Sequence, residues 1–276
     1  MFSGKGVLVS SQTQKKKKIN RIKNTFIFFF IIAGITSGLY SAPRYKEITI
    51  SNVLISGNEV IEKNIIENKV WSNLSGNKYF FFPNKNIFLY PKEIIVQSIK
   101  DISPYVLSAN VSFNDFNSIN VEVVERKPYA LYCGGDYKSE DDGECFFLDD
   151  KAFVFDEAPK FSGNTFVRYF STTSEPYIGK VFSDTILFQT LSRFIDNLKE
   201  KGLIAISVHI VSPDEILFYL DTGSKLIISE KTDYNKVIRY IIDVMDSPDF
   251  KGKDEDGKLN VSYIDFRFGN KIFYRP

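Results

Sequence analysis

Histidine is almost missing from this chain: His209 is the only one, beside two cysteines, two methionines and a single tryptophan. A structural zinc site takes four nitrogen or sulfur ligands at motif spacing, and the sequence offers no such set. A Ser-His-Asp or Cys-His device would have to be built on His209, inside SVHIV, and no nucleophile signature accompanies it. No G-x-x-x-x-G-K-[ST] loop occurs, nor a glycine-rich dinucleotide loop after a strand. The acidic groups Asp141-Asp142 and Asp254-Glu255-Asp256 sit in Gly- and Lys-rich stretches. Both read as solvated turns, and the second lacks the spaced ligands and closing Glu of a calcium loop. The expectation is a protein that is not an enzyme and needs no cofactor or metal.

Acidic residues are also missing from the whole N-terminal stretch before Glu47. The first 23 residues carry seven basic ones (Lys5, Lys15, Lys16, Lys17, Lys18, Arg21, Lys23), so 28 basic face 34 acidic residues in the remainder. A basic head on a mildly acidic body argues against a nucleic-acid-binding body. From Thr25 to Ala42 the chain reads TFIFFFIIAGITSGLYSA, with no charge in eighteen residues. Such a stretch lies at the short end of a transmembrane span, which takes ~20 residues. The basic residues before it, against Arg44, Lys46 and Glu47 after it, place the N-terminus in the cytoplasm by the positive-inside rule. A cleaved signal peptide is the competing reading, but Tyr40 and Pro43 make a poor cleavage site around Ala42. Residues 1–23 read as a disordered cytoplasmic tail and 24–42 as an uncleaved transmembrane helix.

Beyond the anchor the pattern is α+β. Residues 48–56 (ITISNVLIS) read as a strand, and Asn58 as the N-cap of a helix with Val60, Ile61, Ile65 and Ile66 on one face. A second helix opens at Pro91 and places Ile95, Ile99 and Ile102 together. Strands from Val106 to Phe113 and through Ile119, Val121 and Val123 complete a β-α-α-β-β module. After Pro128 the chain is richer in strands. FFLDDKAFVF reads as a hairpin turning at Asp149-Asp150. A helix from Asp184 to Lys201-Gly202 presents Leu187, Leu191, Phe194 and Leu198, and another capped by Asp233 presents Val237, Ile238, Ile241, Ile242 and Met245. Between them run the strands LIAISVHIV, EILFYL and KLIIS. The last pattern, VSYIDFRFGNKIFYR, reads as one long strand. Domains are expected at 43–127 and 128–276.

Several motifs carry a resemblance. Ile55-Ser56-Gly57-Asn58 is followed by Asn86-Ile87-Phe88 and by Pro104-Tyr105-Val106 with Ala109 and Val111. Then come Val121-x-Val123-Val124-Glu125-Arg126-Lys127-Pro128-Tyr129-Ala130, Leu148-Asp149 with Phe153, and Tyr263-Ile264-Asp265-Phe266-Arg267-Phe268. In this order, behind an N-in anchor, they resemble the FtsQ/DivIB family of bacterial cell-division proteins over nearly the whole chain. Phe116 stands where the family usually has Pro, Ala152 where its hairpin has Gly, and the Asp- and Lys-rich segment before Val261 is individual. The resemblance implies a POTRA-like β-α-α-β-β domain and then a larger β-sheet domain with two packing helices. It also implies a bitopic scaffold in the inner membrane at the division septum. Such a scaffold holds FtsB- and FtsL-type small bitopic partners, joins other divisome components and helps control septal peptidoglycan synthesis. An envelope assembly or secretion factor bearing a POTRA domain, or an anchored extracytoplasmic sensor, is the alternative.

In the terminal pattern Tyr263, Asp265, Arg267 and Gly269 fall on one face, and Ile264, Phe266, Phe268 and Asn270 on the other. If this strand lies at a sheet edge, it offers backbone donors and acceptors to an incoming strand. Tyr263, Asp265, Arg267, Lys271 and Tyr274 are then the expected partner-binding residues. If it is interior, Asp265 and Arg267 pair with neighbours instead. Cys133 and Cys145 bracket GGDYKSEDDGE on the side expected to be extracytoplasmic. A disulfide between them is expected, two free thiols being the other state.

Overall fold

The computed structural model describes residues 11–41, 46–78, 82–134, 144–161, 163–172, 177–269 and 271–276. The chain is mixed α+β and divides into two compact units. One comprises Met1–Ile102 and Ser108–Val124, the other Ser103–Leu107 and Glu125–Pro276.

The first unit begins with helix α1, Ser11–Ser41, whose segment Lys18–Gly38 is long and apolar enough to cross a membrane. The helix already starts at Ser11, where a disordered tail to residue 23 was expected. A helix that has paid its nucleation cost in the apolar segment extends at little further cost into Lys, Arg and Gln, all good helix formers.

Three strands follow: β1 (Asn52–Ser56), then β4 (Val106–Asp115) and β5 (Ser118–Glu125), arranged β1-β5-β4 with β1 parallel to β5. The short pair β2 (Asn77–Lys78) and β3 (Phe82–Pro83) lies between helices α2 (Lys63–Leu74) and α3 (Lys92–Lys100). Ile66, Val70 and Leu74 of α2 and Ile95 and Ile99 of α3 are buried, as are Ile119, Val121 and Val123 of β5. Two helical stripes and one strand face thus exclude water together.

Helix α2 starts later than the cap pattern suggested. Its N-cap is Glu62, and the Asn58 side chain donates instead to the Ile61 carbonyl at 2.9 Å. Val60 and Ile65 consequently face solvent. Gly57, with φ 82°, turns the chain at the end of β1. A Cβ there would stand 2.1 Å from the Val123 carbonyl oxygen, so only glycine lets the two backbones approach.

In the second unit one nine-stranded sheet runs β14-β13-β12-β11-β10-β9-β6-β7-β8. Its strands are β6 (Ala130–Tyr132), β7 (Cys145–Leu148), β8 (Val154–Ala158), β9 (Arg168–Ser171) and β10 (Ala205–Ser212). They continue with β11 (Glu215–Leu220), β12 (Lys225–Ile228), β13 (Tyr263–Phe268) and β14 (Lys271–Arg275). Helices α4 (Thr185–Glu200) and α5 (Tyr234–Asp246) join the main core, where Phe188, Leu191, Phe194 and Val237 meet Val208, Phe218 and Ile264. Both helices begin at the expected aspartates. Asp184 Oδ1 accepts from the amides of Ile186 and Leu187, and Asp233 Oδ1 from that of Lys236. A second apolar cluster gathers Leu131, Cys133, Phe147, Phe155 and Phe170.

At the β7–β8 turn, Asp149 Oδ1 accepts from the amides of Lys151 and Phe153, both at 2.9 Å. Ala152 follows with φ 64°, a left-handed conformation that L side chains rarely adopt. The terminal pattern is a correction to the one-strand reading. The chain reverses after β13 at Gly269, φ 68°, and β14 returns antiparallel, with Tyr263 opposite Arg275 and Ile264 opposite Tyr274. Asn270 lies outside the described residues.

Candidate partner-binding edge

The reversal at Gly269 makes β14 the last strand of the sheet, paired with β13 alone. At the opposite end, β8 is covered where it begins: the Val154 amide donates to the Lys180 carbonyl and the Gly179 amide to that of Val154, both at 2.8 Å. Among the described residues no strand covers the outer side of β14. Its backbone groups there are a template for another extended segment.

The five expected partner residues divide into two groups. Lys271 and Tyr274 lie on the open strand and are exposed, although the Tyr274 ring also packs against Phe250 at 5.1 Å between centroids. Tyr263, Asp265 and Arg267 lie on β13, one strand in. Asp265 is only 5% exposed, and Arg267 holds it in a fork, Nε to Oδ1 at 3.0 Å and Nη2 to Oδ2 at 2.7 Å. The Arg267 amide donates to Oδ1 as well, and Nη1 reaches Glu215 Oε2 on β11 at 2.7 Å. The hydrogen bond to Asp265 raises the Arg267 pKa, so the guanidinium stays charged and committed to the sheet. A register shift between Asp265 and Phe268 marks a bulge here, which gives the fork its room.

Phe273 was missed by the sequence reading. It lies opposite Asp265 on the open strand, half-exposed, with its ring edge-on to the exposed Phe268 at 5.3 Å. With Lys271 and Arg275 on the same strand, the edge offers aromatic surface flanked by positive charge. At the end of β13 a cleft of about 310 Å³ is lined by Lys231, Asp233, Lys236, Tyr240, Arg267 and Gly269. The Gly269-Asn270 pair was the available signal: a Gly-Asn dipeptide between alternating strands marks a hairpin.

Cys133 and Cys145 form a disulfide that extends the β6–β7 pairing by one position beyond Tyr132 and Phe146. His209 lies between the rings of Phe170 and Tyr219, with centroids at 4.5 and 4.8 Å. Burial, helped by the charge of Lys225, lowers its pKa to about 4, so it is neutral at pH 7. Among the described residues no group of three or more His, Cys, Asp or Glu is placed to hold a metal ion.

Compared with known proteins, the chain matches no family model and no curated sequence.

Proposed function

We propose that this protein is a bitopic division scaffold of FtsQ/DivIB type, and that it binds FtsB- and FtsL-type partners by adding one of their segments to the sheet at β14. The observation that carries this reading is the open, basic and aromatic β14 edge, which fits strand addition by an acidic or apolar segment. The order β1-α2-β2-β3-α3-β4-β5, with a three-stranded sheet arranged β1-β5-β4 and β2-β3 as a separate short pair, supports a POTRA-like module. The apolar part of α1 supports a single crossing, and the Lys and Arg before it support a cytoplasmic N-terminus. The Cys133–Cys145 disulfide supports an oxidising, extracytoplasmic location for the second unit.

In this reading the protein contributes surfaces and anchorage at the septum, and no chemistry. A fluorescent fusion produced in its own host tests the septal part. A band at midcell is expected in dividing cells; a uniform envelope signal would contradict it.

A further inference from the structure

Three phenylalanines of the first unit stand exposed around one stretch of backbone, the place where the chain enters from α1. Phe88 is 66% exposed, Phe113 53% and Phe116 62%. Phe88 is held there because the Ile87 amide donates to the Ile48 carbonyl at 3.0 Å and Thr49 bridges to Asn86. The β4–β5 turn is held beside it, since the amides of Ser51 and Asn52 both donate to the Asn117 carbonyl, at 2.8 and 3.2 Å. Phe116 in that turn meets Phe113 of β4 edge-to-face, with centroids 5.9 Å apart. Phe88 and Phe116 are therefore each one residue from a backbone contact to the segment 48–52, and Phe113 joins them through its ring contact with Phe116.

That segment is tethered closely to α1. Ten residues separate Ser41, the end of the helix, from Ser51, a span of about 36 Å at full stretch. Lys46–Ile48 form a 3-10 turn, which rises only about 2 Å per residue and shortens the reach further. Exposed phenylalanine rings are costly in water and are apolar enough to bury at the boundary between headgroups and acyl chains.

We propose that this end of the first unit rests on the outer surface of the membrane that α1 crosses, with Phe88, Phe113 and Phe116 inserted among the lipids. The inference rests on the reading of α1 as a transmembrane anchor. The charged residues within three sequence positions of the rings or of segment 48–52 are Lys46 and Lys85 against Glu47 and Asp115, a net of zero, so apolar insertion rather than attraction to anionic lipid drives the contact. The arrangement holds the module close to the bilayer and limits how far it can swing on its tether.

The test uses the full chain in vesicles of phosphatidylethanolamine and phosphatidylglycerol, with or without lipids brominated on the acyl chain, near the headgroup for the three rings and near the bilayer centre for the anchor. Single variants Phe88→Trp, Phe113→Trp and Phe116→Trp report insertion through bromine quenching. The unmodified chain, with only Trp71, gives the background, and Phe30→Trp reports the anchor itself. The expected result is quenching and a blue shift at all three ring positions, unchanged at high salt. Quenching at Phe30→Trp with none at positions 88, 113 and 116 would overturn the docking and leave the anchor standing. No quenching at any position, including Phe30→Trp, would overturn both. Quenching at the three positions that disappears at high salt would overturn apolar insertion.

Discussion

Arg126 forms a buried ion pair with Asp149, joining the Glu125-Arg126-Lys127-Pro128 motif to the Leu148-Asp149 turn. The guanidinium also donates through Nε to the Pro104 carbonyl at 3.0 Å and lies over the Phe153 ring at 3.8 Å. Asp149 in turn organises the β7–β8 turn through its bonds to the Lys151 and Phe153 amides. Two motifs distant in sequence are therefore one structural device of the second unit.

Breaking that pair leaves a buried charge without its partner. Arg126→Ala should lower the stability of the second unit by about 3 kcal/mol in urea unfolding. Asp149→Ala should cost a similar amount. The double variant should cost less than the sum of the two, because each single change already removes the shared interaction.

Gly57 gives a second expectation, in the first unit. Gly57→Ala forces a side chain into a left-handed conformation and into the Val123 carbonyl. The loss should be at least about 2 kcal/mol, combining backbone strain and steric conflict. Hydrogen exchange should show the amides of β1 and β5 opening first. A neutral substitution would mean that these backbones do not approach as closely as described.

Stability should also depend on pH through His209. Its folded pKa of about 4 lies below the ordinary 6.5, so between those values the unfolded chain binds the proton and the folded chain does not. Stability from this group is therefore unaffected above pH 6.5, falls as pH drops through the window, and levels off below about 4. His209→Phe fills the same slot between Phe170 and Tyr219 and should remove that part of the pH dependence. Melting temperatures of both proteins from pH 7 to pH 4 check this.

The disulfide closes a loop with a sequence separation of 12 residues. Chain-entropy arguments give such a closure about 3 kcal/mol, so Cys133→Ser/Cys145→Ser should be less stable by roughly that amount. A thiol reagent should label neither cysteine before reduction and both after it.

Much of this architecture was legible in the sequence, and the reasons differ by element. Helices α4 and α5 declared themselves through aspartate caps and long apolar stripes, and α4 stops at Lys201-Gly202 as its glycine, φ 78°, requires. The hairpin at Gly269 was hidden because apolar alternation continues across the reversal, so only the Gly-Asn pair signals the turn. That single miss moved Phe268 from an expected core face to the surface and left Phe273 unnoticed. Strand β9 was also missed. It has four residues, and its place between β6 and β10 is fixed by parallel partners far away in sequence. Asp265 and Arg267 match the interior alternative, in which they pair with neighbours. Sequence alone could not distinguish the two arrangements, because the edge is decided by whether the chain folds back.

The most direct test of the proposed function is the affinity of the full chain, in nanodiscs, for the extracytoplasmic segments of its host's FtsB- and FtsL-type proteins. It should be measured beside Phe273→Ala, which removes the exposed ring and adds no charge opposite Asp265. Binding by the unmodified chain is expected, with a loss of tenfold or more, about 1.4 kcal/mol or greater, in the variant at unchanged melting temperature. No binding to either segment, alone or together, would contradict the scaffold assignment. Equal binding by Phe273→Ala would contradict the β14 edge as its site.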